Sequence, residues 1–389
     1  MSEVAQAPHS SPDGRIPQLR FPEFDGVWES RLLKDAVKIN PRSGELPDEF
    51  RYIDLESVKK GYLIKETQIN KIGAPSRAQR LLNKNDVIFQ TVRPYQKNNY
   101  FFNLDGDYVA STGYAQLRVL NSPEFLYQAL HTDRFVYDVM ARSTGTSYPA
   151  INSTDLSKIK LNLPTKPEQQ KIAAFLTAVD NKIEQLSTKQ VLLGEYKKGL
   201  MQQIFSQAIR FKADDGCDFP DWEEKKLGDI LDYEQPTNYI VDSTEYDNSF
   251  DMPVLTAGKS FVLGYTNETH KVFENIPVII FDDFTTANKY VDFPFKVKSS
   301  AMKILKPKDS FVNIRLIFEF IQMLNFPIGE HKRYWISEYQ DLKIPFPSFE
   351  EQTKIASFLS SIDNKIEQVG KQLDESKQFK KALLQQMFV

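Results

Sequence analysis

PTKPEQQKIAAFLTAVDNKIEQ, residues Pro164–Gln185, returns 183 residues later as PSFEEQTKIASFLSSIDNKIEQ, Pro347–Gln368, without a gap. The match continues into KKGLMQQIF (Lys197–Phe205) and KKALLQQMF (Lys380–Phe388), giving 20 identities in 42 positions. Both copies open with a capping-box pattern, Thr165-x-x-Glu168 and Ser348-x-x-Glu351, which marks a helix start. Apolar residues then fall at 4-3 spacing: Ile172, Leu176, Val179, Ile183, Leu186, Leu193, Leu200 and Ile204 in the first copy. The second gives Ile355, Leu359, Ile362, Ile366, Val369, Leu373, Leu383 and Met387. Gln190, Lys197, Ser376 and Lys380 interrupt the two seams. A heptad seam of this length is a coiled-coil signal. Each copy predicts a helix of about 58 Å, and the natural partner of one is the other, packed antiparallel. Gly194 and Gly199 weaken the first helix locally.

Working outward, the repeat extends upstream more weakly. FPEFDGVWESRLLKD (Phe21–Asp35) resembles FPDWEEKKLGD (Phe219–Asp229). Asp86–Val92 and Tyr108–Leu120 read as strands and Pro123–Arg142 as an amphipathic helix. In the second half Pro277–Asp283 and Ala301–Leu305 read as strands and Phe311–Leu324 as helix. The expected division is a flexible tail (1–20), a first globular domain (21–163), a helical spacer (164–212), a second globular domain (213–346) and a second spacer (347–389). The fold class is α+β: two α/β domains joined by two long antiparallel coiled-coil helices, in a pseudo-two-fold internal repeat.

Composition narrows the chemistry. The 389 residues are 41% hydrophobic and 26% charged, an ordinary balance for a soluble protein. No apolar run approaches the ~20 residues of a membrane span, and residues 1–20 show no secretory signal, so a cytoplasmic protein without a membrane partner is expected. Cys217 is the single cysteine and the four histidines are scattered, which excludes a disulfide framework and any Cys-rich metal site. Net charge is −3, but it is unevenly spread. Residues 59–97 carry nine Lys/Arg against two acids, 213–284 carry four against seventeen, and 285–308 carry six against one. The acidic stretch is awkward for a protein that would approach phosphate.

Catalytic patterns fail on inspection. Ala257–Ser260 imitates the end of a phosphate-binding loop, but Pro253 stands where its first glycine belongs. Pro220-Asp221 with Glu223-x-Lys225 imitates a nuclease signature, with its acids too close together to converge on one metal. What remains is recognition chemistry. Arg77, Arg80, Arg93, Tyr95, Lys97 and Asn98 combine the residue types that hold phosphates and read base edges. Ser143, Thr144, Ser147 and Tyr148 form a small polar loop of similar use. The second half offers Lys259, Thr285, Thr286, Asn288, Lys289, Lys298, Lys332, Arg333 and Tyr334.

The duplicated segment, each copy preceded by a strand ending in proline, resembles the specificity subunits of type I restriction–modification systems. The resemblance covers Phe21–Val389. It implies a subunit without catalytic residues, metal or cofactor of its own, with two target recognition domains that each read one half of a bipartite site in double-stranded DNA. It implies helices that act as spacer and as dock for two methyltransferase subunits, which restriction and translocase subunits then join. S-adenosylmethionine, ATP and magnesium belong to those partners. The competing expectations are a coiled-coil adaptor between two proteins, without nucleic acid, and an enzyme such as a nuclease with an unread site.

Overall fold

The structure, a computed structural model, describes residues 15–258, 260–327 and 333–389. It divides into two compact units. The first runs to Thr188 and takes in Gly370–Val389; the second is Lys189–Val369. Two long helices, Lys166–Phe205 and Phe349–Met387, are each shared between the units. The first helix runs unbroken through Gly194 and Gly199.

In each unit the opening half of one long helix packs on the closing half of the other, so the two run antiparallel. In the first unit Ile172 and Leu176 share a core with Leu383 and Met387. In the second, Ile355, Leu359 and Ile362 share one with Met201 and Ile204. The seam lysines are not defects. Lys380 pairs with Asp180, and Lys197 lies 2.8 Å from Asp363 and 2.9 Å from Glu319. Gln128 donates to Asp180 from the place that Glu319 holds in the second unit. A paired charge in an apolar seam fits one register and no other.

The capping boxes do not close as the sequence suggests. Glu351 N–H meets Ser348 Oγ at 3.4 Å. The Glu168 and Glu351 carboxylates instead accept from distant arginines and tryptophans. Arg20 donates twice to Glu168 at 2.8 Å, and Trp28 Nε1 lies at 3.3 Å. Arg210 and Trp222 repeat this on Glu351, at 2.8 and 2.7 Å. Both carboxylates are buried. A bidentate arginine is a stronger partner than one backbone N–H, so the tertiary contact wins. Residues 1–14 of the expected flexible tail lie outside the described residues. Within residues 15–20, Arg20 is held by Glu168, and Leu19 N–H donates to Gln386 O at 2.9 Å.

The globular parts share one plan. In the first unit a sheet runs Val37–Ile39, Tyr114–Val119, Asp86–Gln90, Tyr100–Phe101, antiparallel throughout. The second unit repeats it as Leu231–Glu234, Met302–Pro307, Val278–Asp282, Asn288–Val291. The central strand is buried on both faces. Val87 and Phe89 meet helices while Ile88 faces a second core, and Ile279 and Phe281 oppose Ile280 in the same way. This period-two alternation is what makes DVIFQ and VIIFD legible as strands. The second sheets differ. The first unit orders Thr67–Asn70, Glu49–Ile53, Tyr108–Ser111 and Ala78–Leu81, with the central pair parallel. The second has Val262–Thr266, Met252–Leu255 and Lys296–Val297, with no described counterpart of Ala78–Leu81.

The expected single helix Pro123–Arg142 is two, Pro123–Ala129 and Asp133–Arg142. Thr132 breaks it: its hydroxyl accepts from Phe135 N–H and donates to Ala129 O. His131 sits in that break, its ring 4.5 Å from Tyr127 and its Nδ1 against Tyr127 O. Burial pushes its pKa down to about 4. An unfolded histidine titrates near 6.5, so the unfolded chain takes up a proton that the folded one refuses. The stability this confers is complete above about pH 6.5 and is lost as pH falls toward 4. The gap between the two pKa values corresponds to at most roughly 3 kcal/mol. His131→Gln should flatten that part of the stability-versus-pH curve, measured by urea unfolding at several pH values; an unchanged slope would refute the assignment.

Candidate nucleic-acid interface

The strand Asp86–Gln90 delivers the loop 91–99 to the surface, and a second loop, 143–150, is laced to it. Ala150 bridges to both Val92 and Thr144, and Arg93 N–H donates to Pro149 O at 2.7 Å. Gly145 has φ +93 there, a conformation that suits glycine, and a Cβ at that position would come within 3.1 Å of Tyr148 O. Arg93 and Lys97 flank the turn Pro94–Gln96, and both have left-handed backbones, φ 55 and 54. Non-glycine residues in that region mark a backbone held by its surroundings.

Several candidates have partners within the fold. Asn98 Oδ1 accepts from Lys60 N–H, and the Lys97 ammonium donates to His131 O and Asp133. Neighbouring Gln90 and Asn99 are buried, with Gln90 bonded to Gln96. Ser143 caps the helix end by donating to Val139 O. Thr144 is exposed and in the bridge to Ala150. Exposed are Tyr95, Ser147 and Tyr148, and half-buried Arg93 places its Cζ 4.1 Å from the Tyr148 ring centre. Arg77 is exposed in the turn before Ala78–Leu81. Arg80 lies within that strand, its Nε buried without a partner, and burial lowers its pKa. Of the nine cations in 59–97, Lys65, Lys71, Lys84 and Lys97 are paired with acids.

In the second unit the turn after Val278–Asp282 is tied by Asp282, whose Oδ1 accepts from Phe284 and Thr285 N–H. Thr286 adopts φ 56 and Thr285 is exposed. Asn288 is bonded to Thr286 O and Gln322, while Lys289 is exposed on the edge strand. Lys298 lies 6.0 Å from the Tyr246 ring. Lys259 and Lys332 lie outside the described residues. Tyr334 is a correction: its ring is 1% exposed and packs on Phe326, and its N–H donates to Asp283 O. Only Arg333 of that segment, among the described residues, is exposed.

Three acids of the acidic stretch are paired within the fold by the basic run that follows it. Lys296, fully buried, pairs with Glu268 at 2.6 Å; Lys303 faces Asp283 at 3.6 Å, and Lys306 meets Glu234 at 3.0 Å. Burial alone would raise Glu268, but Lys296 and the N–H groups of Ser243 and Asp242 outweigh it and hold its pKa down. Burial lowers Lys303. Tyr239 is pushed up to about 12, chiefly because its hydroxyl donates to Glu234. Asp242, Glu268 and His270 converge as a metal site would, yet ammonium groups of Lys271 and Lys296 already stand on the two carboxylates. None of these pairings was legible locally. The signal was the adjacency of runs of opposite sign.

Each unit thus carries one copy of the same α/β plan beside the paired long helices. A profile described as the type I restriction modification DNA specificity domain matches residues 26–193 and again 220–376. The chain belongs to this family. Type I specificity-domain relatives include the EcoR124I/EcoR124II specificity subunit of Escherichia coli, 49% identical over 141 residues and 35% of each chain. The putative MjaX specificity subunit of Methanocaldococcus jannaschii is 25% identical over 276 residues, 60% of each chain. The chain thus aligns with between about one-third and two-thirds of the length of these curated relatives. The crystal structure of a type I restriction–modification S subunit from M. genitalium shares the fold, with a TM-score of 0.65 at 17% identity, over 96% of this chain and 99% of that one. No described helix is long and apolar enough to cross a membrane.

Proposed function

We propose that this chain is the sequence-reading, non-catalytic subunit of a type I restriction–modification complex. The globular parts at 21–163 and 213–346 would each read one half of a bipartite site in double-stranded DNA. The helical parts, 164–212 and 347–389, would set the spacing and dock two methyltransferase subunits, with restriction and translocase subunits joining in the cytoplasm. S-adenosylmethionine, ATP and magnesium would act on those partners. One observation carries the reading: the specificity domain occurs twice on one plan, with unlike residues in the outward loops. Duplicated frames with divergent loops suit two related readings of different sequences.

The expected result is that exchanging residues 219–340 for the matching segment of a relative changes one half of the methylated sequence and leaves the other intact. Methylome sequencing of cells carrying each version of the complete system reads this directly. A change in both halves would sink the two-reader assignment. The purified chain should bind DNA without methylating or cutting it, and turnover free of partner subunits would overturn the non-catalytic reading.

A further inference from the structure

Cations stacked on aromatic rings recur in this protein, and most also carry an acid, as Arg210 does with Glu351 and Lys303 with Asp283. Among the described residues, Arg93 and Lys298 are the stacked cations without a carboxylate within ion-pair distance. Arg93 is the closer, with its Cζ 4.1 Å from the ring centre of Tyr148. Tyr148 is 63% exposed and Arg93 is half-buried, so their contact adds little to the core.

We propose that Tyr148 is the positioning residue that aims Arg93 at a guanine edge, which rests on the DNA-reading function proposed above. A guanidinium is a flat fork whose five N–H groups lie in its plane. Laying one face on a phenol ring leaves that donor edge free and removes the freedom to swivel. A phosphate contact gains little from such orientation, since charge alone serves it. Guanine presents O6 and N7 side by side in the major groove and takes a bidentate arginine, for which angle matters. The backbone supports the aim from both sides. Arg93 is fixed in a left-handed conformation and hydrogen-bonded to Pro149 O, and Ala150 ties the Tyr148 loop to Val92. The contact between the two side chains is guanidinium to ring, so the positioning is assigned to the ring face and not to the hydroxyl.

The test selects bound duplexes from a random-sequence library with the full chain and sequences them. Arg93→Ala should lower the preference for guanine at one base pair by about tenfold or more. Tyr148→Ala should relax the same base pair and leave the salt dependence of binding unchanged, whereas Tyr148→Phe should keep the wild-type preference to within about twofold. The double variant should relax that position no further than Arg93→Ala alone, as expected of two residues acting as one unit. Relaxation at a different base pair, no relaxation, or a Tyr148→Phe variant as relaxed as Tyr148→Ala would each overturn the proposal. A wild-type chain that selects no sequence would overturn the DNA reading and this inference together. A wild-type motif untouched by Tyr148→Ala would overturn this inference alone.

Discussion

Arg210→Ala lowers the stability of the second unit by about 3–5 kcal/mol, the cost of leaving a buried charge without its partner. Glu351 is wholly buried in the first turn of its long helix, and Arg210 approaches it with two nitrogens, at 3.3 and 2.8 Å. The same guanidinium donates to Pro220 O at 2.7 Å, and the carboxylate raises the arginine's pKa. Removing the arginine leaves Trp222 Nε1–H and the positive end of the helix dipole to face the carboxylate, which is too little. Thermal unfolding of the full chain should show one transition falling by on the order of 10 °C. The double variant Arg210→Met/Glu351→Met should recover most of the loss, because no buried charge is then stranded. A single variant costing less than about 1 kcal/mol, or a double as damaged as the single, would refute the argument.

Arg20 stands on Glu168 in the same way, so Arg20→Ala should lower the transition of the first unit instead. The twin clamps explain why each long helix begins where it does. Each arginine lies outside the helix whose start it holds, and so joins the segment before a globular part to the helix that follows it. The two helical repeats therefore share a tertiary contact as well as a seam.

Legibility in the sequence followed how local each cause was. The long helices could be read because period, caps and length all lie within one stretch, and the strands DVIFQ and VIIFD because alternation does too. The break at Thr132 was missed: the apolar spacing runs through it, and only the hydroxyl's two bonds to neighbouring backbone end the first helix. Glu168 and Glu351 were assigned the nearest partner, the helix's own first turn, whereas their arginines lie 148 and 141 residues away. The candidate interface divides in the same way. Residue types suited to base edges are visible in the sequence, but which of them also have partners within the fold is not, because those partners are non-local. Lys97 is held by Asp133, Asn98 by the backbone of Lys60, and Tyr334 by Phe326. In the acidic run, Glu234, Glu268 and Asp283 find their partners in Lys306, Lys296 and Lys303, which lie in the separate basic run of the sequence.

Arg93→Ala and Lys59→Ala should separate base reading from charge. Arg93 sits in a left-handed turn with its guanidinium against an exposed ring, an arrangement that on the proposal above would set its direction before any DNA arrives. A bidentate arginine–guanine contact gives about 1–3 kcal/mol of discrimination. Its loss should weaken binding to the matched duplex by roughly ten- to a hundredfold, with little effect on a duplex already mismatched at that base pair. Lys59 is exposed on the short strand Val58–Lys59, with no acid within ion-pair distance among the described residues. Its ammonium can neutralise a phosphate but has no fixed aim. Lys59→Ala should therefore weaken matched and mismatched duplexes by the same few-fold factor and make the salt dependence shallower by about one phosphate contact. Titration of matched and single-mismatch duplexes at two salt concentrations reads both effects, once methylome sequencing has supplied the matched sequence. Equal weakening of both duplexes by Arg93→Ala would make Arg93 a phosphate contact, and the loop 91–99 would then hold the DNA without reading it.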